Sequence, residues 1–322
     1  MISHLSEMIE RLLYGDDGYY TKHVRIGKRG DFFTAPHASP MFGYTVGRFL
    51  DSQGVRTVLE VGGGEGYLAL DILRSTPLRV ISYERSPKLR EVQRKILGDY
   101  EREGRWRLVD TLERADAYLL NEVLDAFPSN RYVFEGGRWW EIVQQEDGFG
   151  RIPSDGPSHY RGPVREGFIY DEGVGTEEFL REILRMTDRL LIFDYGYDEE
   201  EFPLLAPRGT LHGYKEHRVL HGLEALKPKA DITHFVNFTH IRRVAEEEGF
   251  TVRIYMDQTN FLLKYGMLDV FESLSDEEKE QLAPGMKTLM LLFRNHRVMY
   301  LQRSSSSKKS SQKDSDESVD GG

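Results

Sequence analysis

The 322-residue sequence predicts an α/β fold built on a mostly parallel sheet of seven strands. Three observations lead to this prediction. A strand, a glycine-rich turn and a helix follow one another over residues 57–73. Strand and helix patterns then alternate up to residue 121, an order typical of parallel sheets. Four successive strands end on polar side chains, and open α/β sheets bind ligands at that edge. The sequence therefore predicts one ligand crevice along this edge.

The composition, with 39% hydrophobic and 30% charged residues, is typical of a well-solvated globular protein. No apolar run approaches the roughly 20 residues that span a bilayer, so we expect no membrane contact. The chain has no cysteine, which excludes disulfides, thiolate catalysis and cysteine-ligated metals, and we expect no metal at the site. A net charge of −10 disfavours nucleic acid and favours a basic protein segment as partner. The acid-containing N-terminus matches neither a signal nor a transit peptide, so we expect a cytoplasmic location.

Residues 1–55 are predicted to form an N-terminal helical segment that contributes a lid. Apolar residues at helical spacing predict one helix over 2–13. Ser39 before Pro40 predicts the start of another, since serine caps helices and proline suits the first helical position. Between these helices, the run from Gly30 to Thr34 combines glycine with two phenylalanines. We interpret it as a candidate lid over the ligand, with Gly30 and Thr34 in contact; the alternative is an ordinary turn anchored by aromatic residues.

The glycine turn spans Glu60-Val61-Gly62-Gly63-Gly64-Glu65-Gly66. Such a turn lets the backbone approach a nucleotide-like ligand at a helix N-terminus. A dinucleotide fingerprint needs its third glycine at position 67, which Tyr67 occupies. The spacing instead resembles the first motif of class I S-adenosylmethionine (SAM) methyltransferases, which have a Rossmann-like fold. The resemblance implies cofactor contacts from Glu60, Gly62, Gly64 and Gly66.

Polar residues after the next strands extend the same edge. Glu84 lies 22 residues after Gly62, close to the roughly 20 expected for the acid that accepts both ribose hydroxyls. Asp110 after the third strand is placed to accept from an adenine amino group, or alternatively caps a helix. Asn121 closes the fourth strand. The candidate cofactor contacts in this stretch are Glu84, Ser86, Asp110, Thr111 and Asn121.

The rest of the chain completes the methyltransferase-like domain, which we place at residues 56–300. Residues 129–175 read as an inserted β-hairpin region, and residues 203–235 as a loop-like insertion. Strands are predicted at 189–193, 250–256 and 288–293, with a helix at 239–248. His212 and His217 in the second insertion are either bystanders or groups that help deprotonate a substrate. Residues 303–322 are rich in Ser, Lys and Asp and are predicted to be a disordered tail.

Motifs spread along the chain resemble the MidA family, whose mitochondrial members are arginine methyltransferases that assist assembly of respiratory complex I. Besides the glycine turn, the resemblance rests on Gly18-Tyr19-Tyr20, residues 30–34, residues 39–43, residues 121–128, Asp194-Tyr195-Gly196, residues 208–211, and Gln258 with Phe261-Leu262. It implies a class I methyltransferase fold, SAM as cofactor and a protein arginine as substrate. The chain departs from the family pattern at Gly63, where the family has proline, and around His234, to which we transfer no role.

Glu122 and Asp125 are the candidate catalytic residues because they follow the fourth strand, where class I enzymes place the methyl acceptor. Two carboxylates can hold the planar fork of a guanidinium and leave one nitrogen aimed at the methyl group. The alternative is that Asp125 caps the following turn and Glu122 is solvated. Two other functions stay open: a small-molecule or RNA methyltransferase on the same fold, and a SAM-binding assembly factor without turnover.

Overall fold

The computed structural model describes residues 2–24, 34–215, 218–293 and 295–304. Three sheets account for its strands. In this part of the chain the strands are β1 (Ser3–His4), β2 (Thr57–Val61), β3 (Arg79–Tyr83), β4 (Trp106–Val109), β5 (Ala117–Asn121), β6 (Ser129–Glu135), β7 (Arg138–Gln145), β8 (Gly148–Ser154), β9 (Ile169–Gly173), β10 (Arg189–Tyr197), β11 (His212–Lys215), β12 (Arg218–His221), β13 (Asp231–Thr233), β14 (Val236–Asn237), β15 (Phe250–Asp257) and β16 (His296–Arg303).

The α-helices lie between these strands and in the N-terminal segment. They are α1 (Leu5–Tyr14), α2 (Ala35–Ala38), α3 (Pro40–Ser52), α4 (Tyr67–Ser75), α5 (Pro87–Arg102), α6 (Thr176–Met186), α7 (Phe202–Leu205), α8 (Phe238–Glu247), α9 (Gln258–Lys264), α10 (Met267–Glu272) and α11 (Asp276–Leu292). The predicted start of α3 is confirmed, since the Ser39 hydroxyl accepts from the Met41 amide. Within the described ranges, no helix combines the length and apolar character needed to cross a membrane.

The central sheet has its seven main strands in the order β15-β16-β10-β5-β2-β3-β4, and short β14 pairs with the end of β10. Neighbouring strands from β10 to β4 are parallel, whereas β16 runs antiparallel to both β10 and β15. This arrangement confirms the predicted mostly parallel α/β fold. It places the carboxyl ends of β2, β3, β4 and β5 at one edge.

Helices cover both faces of the central sheet, because successive residues of a strand point to opposite sides. Val58 packs with α3 and α4 on one face. Its neighbour Leu59 packs with α6 and α8 on the other face. The core strands are therefore buried on both sides, as expected for a parallel sheet.

The last predicted strand is wrong. Residues 288–293 belong largely to α11, and the strand that completes the sheet is β16. A short apolar run fits a buried strand and a helix equally well, and here a capping box from Ser275 and Glu278 begins a helix that continues through it. Arg303, which we predicted to start the tail, ends β16 and pairs with Asp188 at 2.9 Å. Residues 305–322 of the predicted tail lie outside the described residues.

Both insertions contain more structure than the sequence suggested. The first includes the predicted hairpin, β6 with β7, and adds β8 and β9, while β1 pairs with β7. The second, predicted to be loop-like, forms the three-stranded sheet β12-β11-β13. A buried salt bridge joins Arg131 to Asp171 at 2.7 Å. Asp171 also accepts from the amides of Thr210 and Leu211 at 2.6 and 2.8 Å, so this carboxylate joins the two insertions.

Candidate active site

A cavity of about 500 Å³ opens at the carboxyl edge of the parallel strands. Its volume falls within the roughly 300–1,000 Å³ typical of small-molecule sites. Residues from the glycine turn, from the ends of β3, β4 and β5 and from the N-terminal segment line it together. The predicted site residues in its wall are Thr34, Glu60, Gly62, Gly64, Glu84, Asp110, Thr111, Asn121 and Glu122. The crevice expected from four strand ends is therefore present.

The glycine turn has a backbone that other residues rarely adopt. Gly62, Gly64 and Gly66 have φ angles of 64°, 58° and 90°, in the left-handed region that glycine occupies without steric cost. At Gly63, an added Cβ would lie 2.5 Å from a carboxylate oxygen of Glu60. The backbone conformation therefore requires glycine at positions 62, 64 and 66, whereas at Gly63 the neighbouring atoms belong to the end of the Glu60 side chain. Gly66 contributes as the residue before α4 and does not border the cavity.

Glu84 is buried and held in place by two backbone amides. One carboxylate oxygen accepts from Gly64 N at 3.1 Å, and the other accepts from Ser86 N at 2.9 Å. Burial raises the pKa of Glu84, and these two hydrogen bonds oppose that rise. Each oxygen of a carboxylate has a further lone pair, so Glu84 can also accept two hydroxyls from a ligand in the cavity.

Ser86 acts through its backbone rather than as a cavity contact. Its hydroxyl donates to the Tyr20 carbonyl at 2.6 Å and accepts from Leu89 N at 3.3 Å, which makes it the N-cap of α5. The side chain does not border the cavity. Its backbone amide donates to the Glu84 carboxylate, so Ser86 positions Glu84 without contacting the cavity itself.

Glu60 lies in the cavity wall with only 1% of its surface exposed. Burial, and then the charge of Glu84, raise the pKa of Glu60 to about 8, and a hydrogen bond from Ser82 opposes the rise. Glu60 therefore holds its proton at neutral pH and can donate as well as accept a hydrogen bond.

Asp110 and Thr111 follow β4 in the cavity wall, and Asn121 ends β5, on the other side of β2 and β3. The Asp110 side chain is 87% exposed and pairs with Arg90. The Asn121 side-chain oxygen is buried and has no hydrogen-bond partner among the described residues. Buried polar atoms in proteins are almost always paired, so this unpaired acceptor fits a ligand that donates a hydrogen bond.

The N-terminal segment is attached to the glycine turn by a chain of side chains that the sequence reasoning missed. The Thr34 hydroxyl lies 2.6 Å from His37 Nδ1, and His37 Nε2 lies 2.9 Å from a Glu65 oxygen. Residues 34 and 65 are distant in sequence, and no local pattern connects them. Thr34 borders the cavity as predicted, whereas Gly30 and His217 lie outside the described residues.

Glu122 has an unusual backbone conformation, with a φ angle of 54°. Such a conformation costs roughly 1–3 kcal/mol and persists only where the surroundings impose it. The buried carboxylate of Asp194 imposes it here, because one oxygen accepts from the amides of Val123 and Leu124 at 3.2 and 2.9 Å. Burial raises the pKa of Asp194 to about 7, and the charge of Glu122 adds to the rise while backbone hydrogen bonds oppose it.

Glu122 also lies against a second group that the sequence did not indicate. One of its carboxylate oxygens is 3.5 Å from Nε2 of the fully buried His296. The Tyr195 ring packs on the other side of that imidazole, with ring centroids 3.6 Å apart. His296 and Tyr195 thus form the inner support of the Glu122 side chain.

Asp125 does not share the cavity wall with Glu122. Its carboxylate accepts from the Thr233 hydroxyl at 2.7 Å, and its backbone carbonyl accepts from His234 N at 3.1 Å. Burial, and then the charge of Asp194, raise the pKa of Asp125 well above its usual range. Asp125 therefore joins the turn after β5 to the second insertion, and the expected pair of carboxylates facing a substrate is not formed. His212 contacts the Thr210 carbonyl at 2.6 Å and also lies outside the cavity wall.

Comparison with known proteins gives a family match and relatives that align with most of the chain. A family model described as "Putative S-adenosyl-L-methionine-dependent methyltransferase" matches residues 45–161 and 175–256. The mitochondrial protein arginine methyltransferase NDUFAF7 of Rattus norvegicus is 26% identical, over 85% of this chain and 74% of the relative. The protein of the same name from Homo sapiens is 26% identical, over 85% of this chain and 73% of the relative.

Two solved structures from Burkholderia thailandensis share the fold over nearly the whole chain. One, bound to S-adenosylhomocysteine, has a TM-score of 0.83 and 26% identity, and covers 94% of this chain and 88% of that chain. The other, a native structure, has a TM-score of 0.80 and 26% identity, and covers 94% of this chain and 87% of that chain.

Proposed function

Because the chain belongs to this family of SAM-dependent methyltransferases, we propose that it methylates an arginine side chain of a protein partner. The methyltransferase class and the SAM cofactor, both expected from the glycine turn and the motifs, are confirmed. The choice of arginine is supported by the relatives, which are named protein arginine methyltransferases. The observation that carries the proposal is the Glu122 carboxylate, which lies in the cavity wall on a backbone with a φ angle of 54°.

The residues of the cavity fit the cofactor. The left-handed glycine turn brings backbone amides close to a ligand, and Glu84 can accept the two ribose hydroxyls. Asp110 offers an acceptor beyond the end of β4 for an adenine amino group, and the unpaired Asn121 oxygen offers another acceptor at the end of β5. SAM supplies an electrophilic methyl group on a sulfonium sulfur, and the remaining task of the protein is to orient the acceptor and exclude water.

Glu122 is suited to orient a guanidinium at this position. A carboxylate accepts two N–H groups of the planar fork, which leaves another nitrogen free to attack. In the reaction a nitrogen–carbon bond forms, the sulfur–carbon bond breaks with its electron pair left on sulfur, and the proton that the attacking nitrogen loses passes to solvent. The Glu122 carboxylate also places negative charge beside the guanidinium, and such charge stabilises a cationic acceptor in a water-poor site. With Asp125 turned towards Thr233, Glu122 holds the guanidinium alone.

Replacement of Glu122 by glutamine tests the proposal. Glu122→Gln keeps the size of the side chain and removes the charge, so we expect methyl transfer to fall by more than about 100-fold, as for loss of a charge-stabilising group. S-adenosylhomocysteine affinity should stay within about twofold. Glu182→Gln is the matched control, because Glu182 also borders the cavity but is exposed. Unchanged turnover in Glu122→Gln would remove Glu122 from the mechanism.

The substrate class is tested separately. Incubation of the protein with methyl-tritiated SAM and candidate protein partners, followed by mass spectrometry, should locate the label on arginine. Label in a small-molecule or RNA fraction would assign one of the other substrate classes. Absence of labelled product from every fraction, with SAM still bound, would indicate an assembly factor without turnover. The cytoplasmic location stays a prediction.

A further inference from the structure

A fully buried histidine lies behind Glu122. His296 begins β16, and neither of its ring nitrogens has a hydrogen-bond partner among the described residues. Buried polar atoms in proteins are almost always paired, so two unpaired nitrogens on one side chain need an explanation. Direct contact with the cofactor does not supply one, because His296 does not border the cavity.

The topology of the central sheet brings His296 to the edge that carries the active site. β16 runs antiparallel to β10, so the first residue of β16 lies beside the carboxyl end of β10, with His296 opposite Tyr195. β10 runs parallel to β5, which ends just before Glu122. Nε2 of His296 therefore lies 3.5 Å from Oε1 of Glu122, although the two residues are far apart in sequence.

The two carboxylate oxygens of Glu122 have different surroundings. Oε1 faces His296 Nε2 and accepts from Asn121 Nδ2 at 3.5 Å. No hydrogen bond from the described part of the chain reaches Oε2. The groups behind Glu122 thus act on one oxygen, and the other is left for a group in the cavity.

The surroundings of the imidazole favour one position for its proton. An ionised carboxylate only accepts hydrogen bonds, so a proton on Nε2 attracts Oε1 and a lone pair there repels it. The ring contacts the rings of Tyr195 and Phe293, with centroids 3.6 and 5.0 Å away. A second proton on Nδ1 would be buried there without an acceptor, which is costly. The favoured form is therefore a neutral ring with its proton on Nε2.

We propose that His296 is a positioning residue for Glu122, which donates from Nε2 to Oε1 and keeps Oε2 turned towards the methyl acceptor. This inference rests on the proposed guanidinium acceptor. A separation of 3.5 Å is long for a hydrogen bond, but in enzymes such bonds are often long before the substrate binds and shorten in the complex. A donor to the ionised carboxylate also keeps Glu122 charged, as a cationic acceptor requires.

Two substitutions separate the hydrogen-bond donor from the space that the ring fills. His296→Gln keeps an N–H group at the end of the side chain, whereas His296→Leu fills the site without a donor. Tyr300→Phe is the matched control, because it also removes an unpaired buried polar atom from β16 but does so away from Glu122. Thermal unfolding verifies that each variant is folded.

Titration with ethylguanidinium measures how well Glu122 is presented to an acceptor. Each protein is first saturated with S-adenosylhomocysteine, and binding of the probe is followed by NMR. We expect the affinity to fall by about tenfold or more in His296→Leu, and by less than about threefold in His296→Gln, which keeps a hydrogen bond to the charged group. Tyr300→Phe should bind the probe as the original chain does. The affinity for S-adenosylhomocysteine should not change in any of the three variants.

The imidazole itself provides a second measurement that needs no acceptor. Long-range proton–nitrogen NMR spectra of the complex with S-adenosylhomocysteine show which ring nitrogen of His296 carries the proton, and we expect Nε2. A ring protonated on Nδ1 alone, or unchanged ethylguanidinium affinity in folded His296→Leu, would overturn the proposal. Failure of ethylguanidinium to bind the original chain would count against the guanidinium acceptor instead, and the position of the imidazole proton would then decide the role of His296.

Discussion

Replacement of Glu84 by glutamine is the sharpest test of how the cavity recognises its cofactor. The Glu84 carboxylate accepts from Gly64 N at 3.1 Å and from Ser86 N at 2.9 Å, and still offers an acceptor on each oxygen. Glutamine has one acceptor oxygen, so its NH₂ group must face one of these two amides. The same substitution removes one of the acceptors available to the ribose hydroxyls.

The size of the effect follows from the bonds that are lost. A hydrogen bond to a charged group contributes about 1.5–3 kcal/mol. Loss of one such bond to the ribose would weaken cofactor binding by about 10- to 150-fold, at about 1.4 kcal/mol per factor of ten. Asp110→Asn provides the contrast, because the Asp110 side chain is 87% exposed. An exposed charged contact contributes about 0–1 kcal/mol, and asparagine keeps one acceptor oxygen. The cofactor affinity of this variant should therefore fall by less than about fivefold.

Isothermal titration calorimetry with S-adenosylhomocysteine measures both variants against the original chain. Thermal unfolding verifies that each variant is folded before its affinity is compared. If folded Glu84→Gln binds within threefold of the original chain, or if Asp110→Asn loses more affinity than Glu84→Gln, then Glu84 is not the ribose acceptor.

Three further variants test the buried carboxylates. Since the pKa of Glu60 is raised to about 8 from 4.5, the folded chain holds this proton after the unfolded chain has released it. The free energy of unfolding should therefore fall between about pH 4.5 and 8, and urea unfolding should show a smaller fall in Glu60→Gln. Asp171→Ala leaves Arg131 buried without its partner, which should cost about 3–5 kcal/mol and expose residues 203–235 to limited proteolysis. Asp194→Asn should lower both turnover and the urea midpoint of unfolding. The two Asp194 oxygens accept from the amides of Val123, Leu124 and Tyr195, and the single side-chain oxygen of asparagine cannot accept from all three.

Each of these variants has an outcome that contradicts its reasoning. If the free energy of unfolding falls with pH as much in Glu60→Gln as in the original chain, another titrating group causes that fall. Unchanged urea unfolding and proteolysis of Asp171→Ala would show that the insertions are held together elsewhere. Full turnover by Asp194→Asn would show that Glu122 keeps its position without this support.

Local sequence patterns were sufficient for the cofactor half of the molecule. The glycine turn, the acid at Glu84 and the helix cap at Ser39 all depend on residues close together in the chain. Alternating strand and helix patterns predict a parallel sheet, whose strand carboxyl ends lie at one edge. The position of the crevice could therefore be predicted from the order of the elements along the chain. The same reasoning failed at residues 288–293, because an apolar run without a clear period does not distinguish a helix from a strand.

The sequence by itself determined the fold class and the cofactor, and most of its candidate cofactor residues lie in the wall of one cavity. Only the tertiary structure decided which of the two acidic residues lines the cavity. Thr233 binds Asp125 outside the cavity wall, whereas Glu122 lies in that wall and Asp194 binds the amides that follow it. The physical reason is that turns and caps are satisfied by neighbours in sequence, whereas buried charges are satisfied by partners that only the packed sheet brings within reach.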